Sequence, residues 1–574
     1  MSITIEDNKN TAIKNAFYIQ NCVSFTINNV SVPLANSIRR TMLSDIPCIA
    51  FDDTWIDDDS KRSIVITKNT SGIHNEFLSH RLSLIPINRY RRITRDSLEI
   101  ETIFNTKTNK REFSFNSDKE IPIFKLDIQN TSETSLKKKN YGLVEVHTSH
   151  IEYDDFISDI DTSLYFQPDL YIKETSDEDE YIILNMLKEN EELELIMKPT
   201  VGLGTDNARY CTVGTVSYKF NIDEEKVDNV FNQMIQAQNN ERIEKKLNTF
   251  NEEEIAVKRN SFMLLDKDRV YKSNSYKQPN SFHYCVESIG VLPSNQIVYD
   301  SLSMIRIRLQ DIKQSFTGFL KGDSGIGGTY NSITIYNNKE PIIFNKVNVY
   351  QSIDNLLGYK IVIQNNNHTM GNIINHYINM LFTNTHMDIS EKNTIPNFDS
   401  LDLNSIDLYD YNQSILEHCG YKMPHPLKRE IEFKLKLSSR ISEFEMFQLY
   451  EEYSLELNKM YDIQTTDIGL ISDLEKQKII IIYTFVKSIQ SIQEIVTNLL
   501  KQWTSETSRV GQEINEPSFT IKDNIDIVSI DTMQTNQDEV VQEEMGQEEM
   551  GQEEMGQEVV QEVVQEVVQE VVQE

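Results

Sequence analysis

Arg39 and Arg40 stand side by side in Val32-Pro-Leu-Ala-Asn-Ser-Ile-Arg-Arg-Thr-Met-Leu-Ser-Asp-Ile-Pro47. Two adjacent guanidinium groups on the polar side of an otherwise apolar helix can hold carboxylates or backbone carbonyls of a partner bidentately. The alternative is a solvated helix face. A fainter copy of the segment returns in the second half as Thr369-Met-Gly-Asn-Ile-Ile-Asn-His-Tyr-Ile-Asn-Met380. Both copies set a small residue and then Asn at the same point (Ala35-Asn36 and Gly371-Asn372), with an apolar residue two positions on (Ile38 and Ile374). Where the first copy has Arg39 and Arg40, the second has Asn375 and His376, so one copy can dock something the other does not. A matched pair of unusual helices suggests two related modules packed as an internal dimer. That points to a scaffold more than to an enzyme.

Other candidate chemistry is thin. His147 and His150 lie near Glu145 on a strand-like segment, where positions three apart face opposite sides, so one metal ion would not see both. The acidic run Asp52-Asp53 with Asp57-Asp58-Asp59 lacks the glycine and terminal glutamate of a calcium loop. Gly322-Asp-Ser-Gly-Ile-Gly-Gly328 has no following Lys-Ser/Thr and reads as linker rather than as a phosphate cradle. Gly202-Leu-Gly204 lacks the third glycine of a dinucleotide turn. No HExxH, GxSxG, Cys–His pair or magnesium-holding aspartate triplet is visible. No catalytic residue, metal site or cofactor is therefore expected on this chain.

The elements that carry the two helices repeat as well. A strand is expected over residues 17–30, where Phe17, Tyr18, Val23, Phe25 and Ile27 mark its apolar positions. Pro33 suits a first helical turn, Leu34, Ile38 and Met42 share one face, and Pro47 stops the helix. Residues 48–51 read as a buried strand. Residues 52–207 alternate short strand-like runs with polar turns and read as an inserted β-rich domain. Strands resume at 213–220 and 282–290. A long helix follows with Val298, Leu302, Ile305, Leu309, Ile312 and Phe316 at alternating spacings of four and three, a seam for another helix. Five glycines between Gly318 and Gly328 mark a linker over 317–343. The second module, 344–505, repeats the order: a strand at 360–363, the helix from His368, a strand at 429–437, and a long helix. In that last helix Ile482, Phe485, Ile489, Ile492, Val496, Leu499 and Trp503 form the matching seam. The expected fold is thus α+β, with the first module made of 1–51 and 208–316.

The formal net charge is −33, and 16 acidic residues with no Lys or Arg lie from Asp523 to Glu574. Residues 506–574, with tandem Gly-Gln-Glu-Glu-Met pentads and Gln-Glu-Val-Val tetrads, read as a disordered acidic tail. The rest of the chain is still acidic, which argues against a large groove gripping nucleic acid by its phosphates. Cys22, Cys48, Cys211, Cys285 and Cys419 are odd in number, widely spaced and without a CxxC. They read as buried reduced thiols, fitting an intracellular protein. Met1-Ser-Ile-Thr-Ile-Glu-Asp7 has no secretory layout, and the apolar run 479–486 is too short to span a membrane.

Leu34-Ala-Asn-Ser-Ile-Arg-Arg-Thr-Met-Leu-Ser-Asp-Ile-Pro47 resembles the signature of the alpha-type subunits of multisubunit DNA-directed RNA polymerases. These are the bacterial alpha N-terminal domain, its archaeal D-type counterpart and the third-largest subunit of eukaryotic polymerase II. Asn69 to Ile87, Gly202 to Tyr210 and Val286 to Pro293 are similar to further blocks of that family. Asn367-His-Thr-Met-Gly-Asn372 and Gly420-Tyr-Lys-Met-Pro-His-Pro-Leu427 resemble the small partner of that family, the archaeal L-type protein or the eleventh subunit of polymerase II. The resemblance implies two alpha-type modules fused as an intramolecular heterodimer that seeds polymerase assembly, with catalysis on the largest and second-largest subunits. Small assembly subunits would join them, and DNA and RNA would be met only through the complex. Asn36, Arg39, Arg40, His74, Glu76, His80 and Arg81 would lie toward the face that docks a large polymerase subunit. His368, Gly371, Asn372, Tyr421, Pro424, His425 and Pro426 would shape the second module. The fusion and the Asn-, Ile- and Lys-rich body look like large cytoplasmic DNA viruses, implying a virus particle and the host cytoplasm or nucleus. Some relatives hold zinc or an iron–sulfur centre on cysteines of the inserted domain; residues 86–199 have no cysteine. The long segments 223–280, 382–414 and 438–470 depart from the family, the last with room for an extra helix over 444–460. The rival reading is a free-standing protein that sequesters or mimics polymerase subunits.

Overall fold

The computed structural model describes residues 2–5, 22–58, 61–87, 99–105, 110–116, 121, 123–131, 143–153, 166, 181–275, 277–321, 347–351, 358–383, 414–461, 473–511, 514 and 516–521. The chain begins with β1 (Ser2–Ile5), β2 (Cys22–Asn28), α1 (Val32–Ser44) and β3 (Pro47–Phe51). Then come β4 (Ile64–Asn69), α2 (Asn75–Ser83), β5 (Ile100–Asn105), β6 (Lys110–Phe115), β7 (Phe124–Gln129), β8 (Val144–His147) and β9 (Glu152–Tyr153). β10 (Ile183–Leu187), β11 (Glu192–Met197) and β12 (Pro199–Leu203) lead to β13 (Val213–Phe220). Two helices, α3 (Glu224–Glu244) and α4 (Glu252–Leu265), separate β13 from β14 (Ser281–Ser288), which feeds α5 (Ser294–Lys321). The second half holds β15 (Val347–Gln351), β16 (Tyr359–Gln364), α6 (His368–Phe382), β17 (Leu416–Lys422), β18 (Glu430–Leu437), α7 (Glu443–Tyr461), α8 (Asp473–Arg509) and β19 (Phe519–Ile521).

One pattern occurs twice. The first sheet has the order β1-β2-β14-β13 and the second β15-β16-β18-β17, all pairs antiparallel. In each, the helix after the second strand (α1 or α6) and the long helix after the last (α5 or α8) enter the apolar core. The side-chain period of two sets the faces: Val23, Phe25 and Ile27 of β2 are buried while the alternate positions are half-buried. Phe25 lies opposite Tyr284 on β14, their rings stacked 4.9 Å apart. α1 packs on α5 and α6, α5 on α8, and α6 on α8. Their apolar faces and both sheets share one continuous core.

α1 forms where it does for local reasons. The Ser31 side chain accepts the Leu34 N–H at 3.4 Å, Pro33 sits in the first turn, and the helix ends at Asp45, before Pro47. Leu34, Ala35, Ile38 and Met42 are fully buried.

A second core lies on the other side of α5. It gathers Ile49, Phe51, Leu78, Leu82, Phe124, Leu126, Leu195 and Met197 from the β-rich layer, with Met304 and Ile307 of α5. The layer contains the sheet β4-β11-β7-β9, the pairs β10-β8 and β12-β3, and the sheet β19-β5-β6. α5 is therefore apolar on two sides, one toward α8 and one toward this layer. Arg111 of β6 fastens the layer to the helix, donating Nε and Nη2 to the two carboxylate oxygens of Asp311 at 3.0 and 2.6 Å, both groups nearly out of solvent. Arg308 likewise reaches the buried Asp45 at 2.6 Å.

Several expectations change. The stretch 52–207, expected to be β-rich, also holds the helix α2 among its strands. β12 pairs with β3 across the expected 51/52 boundary, since residues 199–203 return antiparallel along 47–51. The segment 223–280 is largely a helical hairpin, α3 and α4, with a small core of Val227, Phe231, Ile235 and Phe262. The seam helix α5 continues to Lys321, into the expected linker; residues 322–343 lie outside the described residues, as does most of 382–414. The expected disordered tail cannot start at 506. α8 runs to Arg509, Ile514 and Phe519 are buried, and β19 pairs with β5, because apolar residues persist up to Ile521. Residues 522–574, with the repeats, lie outside the described residues, as do Phe17 and Tyr18. The stretch Lys476–Arg509 is long and apolar enough to cross a membrane by length and composition. Its apolar side chains are those of a core helix, packed against α5, α6 and α7.

Candidate protein–protein interface

Five structural places matter: the α1–α6 junction, the α5–α8 seam, the outer face of α2, the loop 52–58, and the β17–β18 turn. At the junction the helices run antiparallel, since Arg40 near the end of α1 meets Thr369 at the start of α6, while Ser31 before α1 lies beside the Tyr377 phenol and opposes the rise that burial gives it. Arg40 Nε donates to Thr369 Oγ1 at 2.8 Å, and Ser37 Oγ to the Thr369 carbonyl at 3.4 Å. Arg39 Nε and Nη2 both donate to Asn36 Oδ1 at 3.1 Å. The Arg40 Nε therefore binds within the chain, although its side chain is exposed; Arg39 and Asn36 form a half-buried local pair. Tyr284 donates to the Ala35 carbonyl at 2.8 Å, and burial pushes its phenol well above the ordinary value.

The second module's signature residues are brought together. Asn367 caps α6 by accepting the Thr369 N–H at 3.0 Å. Tyr421 lies over Gly371 beside Phe433, its hydroxyl 3.4 Å from His368 Nδ1. Burial raises the Tyr421 phenol, and the nearby Arg40 guanidinium opposes that rise. A Cβ on Gly371 would stand 2.6 Å from the Tyr421 ring and 3.1 Å from Ile431 Cγ2. Gly371→Ala should therefore destabilise the chain by about 1–3 kcal/mol, read by chemical denaturation. An unchanged midpoint would mean the ring moves aside freely. Asn372 is exposed. Pro424, His425 and Pro426 lie on the exposed turn between β17 and β18, with Leu427, 86% exposed, which sequence reasoning did not single out. His425 Nδ1 accepts the Leu427 N–H at 3.1 Å, and Arg429 reaches Asp206 of the other half at 3.3 Å.

The seam residues Leu302, Ile305, Leu309, Ile312, Ile482, Phe485, Ile489, Ile492 and Val496 are all at most 3% exposed. Phe316 and Phe485 meet at 5.4 Å between ring centroids. At the far end Trp503 sets its ring edge-on to Phe25 at 4.9 Å and donates Nε1–H to the Asn295 carbonyl at 3.1 Å.

α2 presents the other named residues. His74 precedes the helix and accepts the Glu76 N–H at 3.5 Å. Leu78 and Leu82 turn inward and are fully buried. That leaves Phe77 (71% exposed), His80, Arg81 and Leu84 (54% exposed) outward. Phe77 and Leu84 are seven apart, with His80 and Arg81 between them, so the four form one stripe. Arg81 Nη2 donates to the Ile183 carbonyl at 2.6 Å, pinning α2 to β10. In the loop 52–58, Trp55 is 75% exposed with the Arg62 guanidinium 3.5 Å above its ring. Sequence reasoning missed Phe77, Leu84 and Trp55; for Phe77 and Leu84 the signal was large apolar residues off the Leu78/Leu82 face. α1 belongs to the first core and α2 to the second, so the two halves of the expected docking set sit in different layers.

Metal chemistry finds little here. β8 stops at His147 and a 3-10 turn over 148–150 follows, so the rings of His147 and His150 approach to 5.7 Å instead of facing opposite ways. His150 Nδ1 accepts the His147 N–H at 3.0 Å. Among the described residues no three His, Cys, Asp or Glu side chains are placed to share a metal ion. The five cysteines are free thiols; Cys22 and Cys285 approach to 3.8 Å, and burial together with Cys285 pushes the Cys22 thiol up to about 12.

Residues 24–309 match the model of the RNA polymerase Rpb3/Rpb11 dimerisation domain. The chain is 25% identical over 313 residues to DNA-directed RNA polymerases I and III subunit RPAC1 of Bos taurus, covering 51% of this chain and 80% of that protein. It is 22% identical over 321 residues to DNA-directed RNA polymerases II, IV and V subunit 3 of Arabidopsis thaliana, covering 51% and 86%. A 68-residue stretch is 40% identical to DNA-directed RNA polymerase II subunit RPB3 of Schizosaccharomyces pombe, 12% of this chain and 20% of that protein.

Proposed function

We propose that this chain, which carries an Rpb3/Rpb11-type dimerisation domain and whose homologues are RNA polymerase subunits, is a non-catalytic assembly scaffold of a multisubunit DNA-directed RNA polymerase. In this reading the first half is an alpha-type module with a β-rich insertion, and residues 344–505 are the smaller partner module fused to it. The observation that carries the reading is the repeated strand order and helix placement, with α1 and α6 antiparallel at the junction. Fusion makes the pairing unimolecular, so each module meets its partner at a fixed effective concentration. The α2 side receives the second-largest subunit, and the second module leans toward the largest. The proposed fusion and the Asn-, Ile- and Lys-rich body support, in our reading, a polymerase of a large cytoplasmic DNA virus.

The α2 stripe supports docking because it sets two large apolar side chains beside a cation, the composition of an interface anchor. Phe77→Asp with Leu84→Asp should change stability by less than about 1 kcal/mol, both side chains being exposed. Capture of the second-largest subunit should fall by about tenfold or more. Capture equal to that of the parent chain would remove α2 from the interface. The function itself is tested by affinity purification of the tagged chain, mass spectrometry, and a nonspecific RNA-synthesis assay on the eluate. Two large subunits in stoichiometric amount with RNA synthesis support the scaffold. Host polymerase fragments without synthesis would favour a sequestering protein instead.

A further inference from the structure

Beyond α8 the chain crosses from the helical seam to the β-rich layer. Gln296, in the first turn of α5, donates Nε2–H to the Glu516 carbonyl at 3.0 Å. The buried Asp300 carboxylate accepts the Ser518 N–H at 3.0 Å and Gln296 Nε2–H at 2.8 Å. Phe519 then enters the second core and is 3% exposed. Residues Phe519–Ile521 pair in parallel with Ile100, Glu101 and Thr102 of β5. Thr520 Oγ1 donates to Glu99 Oε1 at 2.6 Å. The attachment thus has one aromatic anchor, a three-residue ladder and a few side-chain bonds. The seam it leaves behind buries the apolar faces of two long helices.

We infer that residues 516–521 are a clasp that fastens the β-rich layer to the helical seam and opens without the seam opening. Elements held by few buried contacts open locally at lower free energy than the global core. Parallel pairing over three residues, anchored by one ring, is such an element. The core that Phe519 enters also holds Leu78 and Leu82, the seat of α2. Opening the clasp therefore loosens α2 and the edge of β5 together, while α5 and α8 stay packed through Leu302, Leu309, Ile489 and Val496.

Hydrogen–deuterium exchange on the full chain tests this. Phe519→Ala should speed exchange about tenfold or more in 75–83 and 100–105, with 302–316 and 482–499 unchanged. Phe519→Leu, which keeps a large apolar side chain, should stay within about threefold of the parent in all four segments. Ser518→Pro, which removes the N–H donated to Asp300 together with the hydroxyl and fixes φ, should speed the first two segments by a smaller factor. Unchanged protection of 100–105 in Phe519→Ala would overturn the clasp. So would equal acceleration at the seam, or failure of that variant to fold, since Phe519 would then belong to one global core.

Discussion

Trp503→Ala should cost about 3–5 kcal/mol, measured by denaturant unfolding of the full chain. The side chain is fully buried in the last turns of α8, yet it packs on Phe25 of the first sheet, which stacks on Tyr284. Tyr284 in turn donates to the Ala35 carbonyl of α1, so three aromatic rings tie the second half's longest helix to the first half's centre. Truncation leaves a cavity between α8, α5 and the first sheet, which are held apart by the rest of the core. It also removes the donor to the Asn295 carbonyl. The chain has two tryptophans, and the other, Trp55, is exposed. The parent should therefore emit as a buried and a solvated indole, and the variant as a solvated one alone. A loss under about 1 kcal/mol would mean that this end of the seam contributes little.

Asp311→Ala should cost about 3–5 kcal/mol because it leaves the Arg111 guanidinium buried without its carboxylate. Both groups are nearly inaccessible, and the two bonds between them are short. The damage should concentrate in the β-rich layer, where Arg111 also donates to Thr102 Oγ1 at 3.3 Å. Replacing both residues, Arg111→Met with Asp311→Leu, should recover most of the loss, since an apolar pair of similar volume removes both desolvation penalties. A double variant as unstable as Asp311→Ala would assign the cost to packing geometry rather than to the unpaired charge.

Periodicity made the central helices legible. The alternating four-and-three spacing of Leu302 to Phe316 and of Ile482 to Trp503 reports a buried stripe directly, and those side chains are buried. The second apolar side of α5 was harder to see. Met304 and Ile307 interrupt a polar face already occupied by Arg306, Arg308 and Asp311, so they look incidental until the β-rich layer covers them. α2 is nine residues long and buries only Leu78, Leu82 and Ser83, too few to establish a period. The helical hairpin did carry local signals: Val227, Phe231 and Ile235 recur every four residues, and Asn251 with Glu254 forms a capping box before α4. Phe519 pairing with Ile100 and Arg111 pairing with Asp311 join positions far apart in the chain, which no local pattern encodes. Of the docking residues, Arg40 reads from sequence as outward-facing, because a charge on a helix says nothing about whether another helix of the same chain lies beside it.

The backbone N–H of Ile3 donates to Gln502 Oε1 at 3.1 Å, and that of Ile5 to Glu506 Oε2 at 3.2 Å, partners 499 and 501 positions apart. Arg509 closes the contact by donating to the Ile5 carbonyl at 3.0 Å. Contacts of such separation raise contact order, and their loop-closure entropy is met only when the intervening chain is already compact. During vectorial synthesis β1 can pair with β2 early, but its outer edge waits for α8, so for most of translation that strand is an open template for another chain. Capping of the first sheet's outer edge is thereby a checkpoint on completion of the second half, and a chain arrested before α8 would be marked by an uncapped β1.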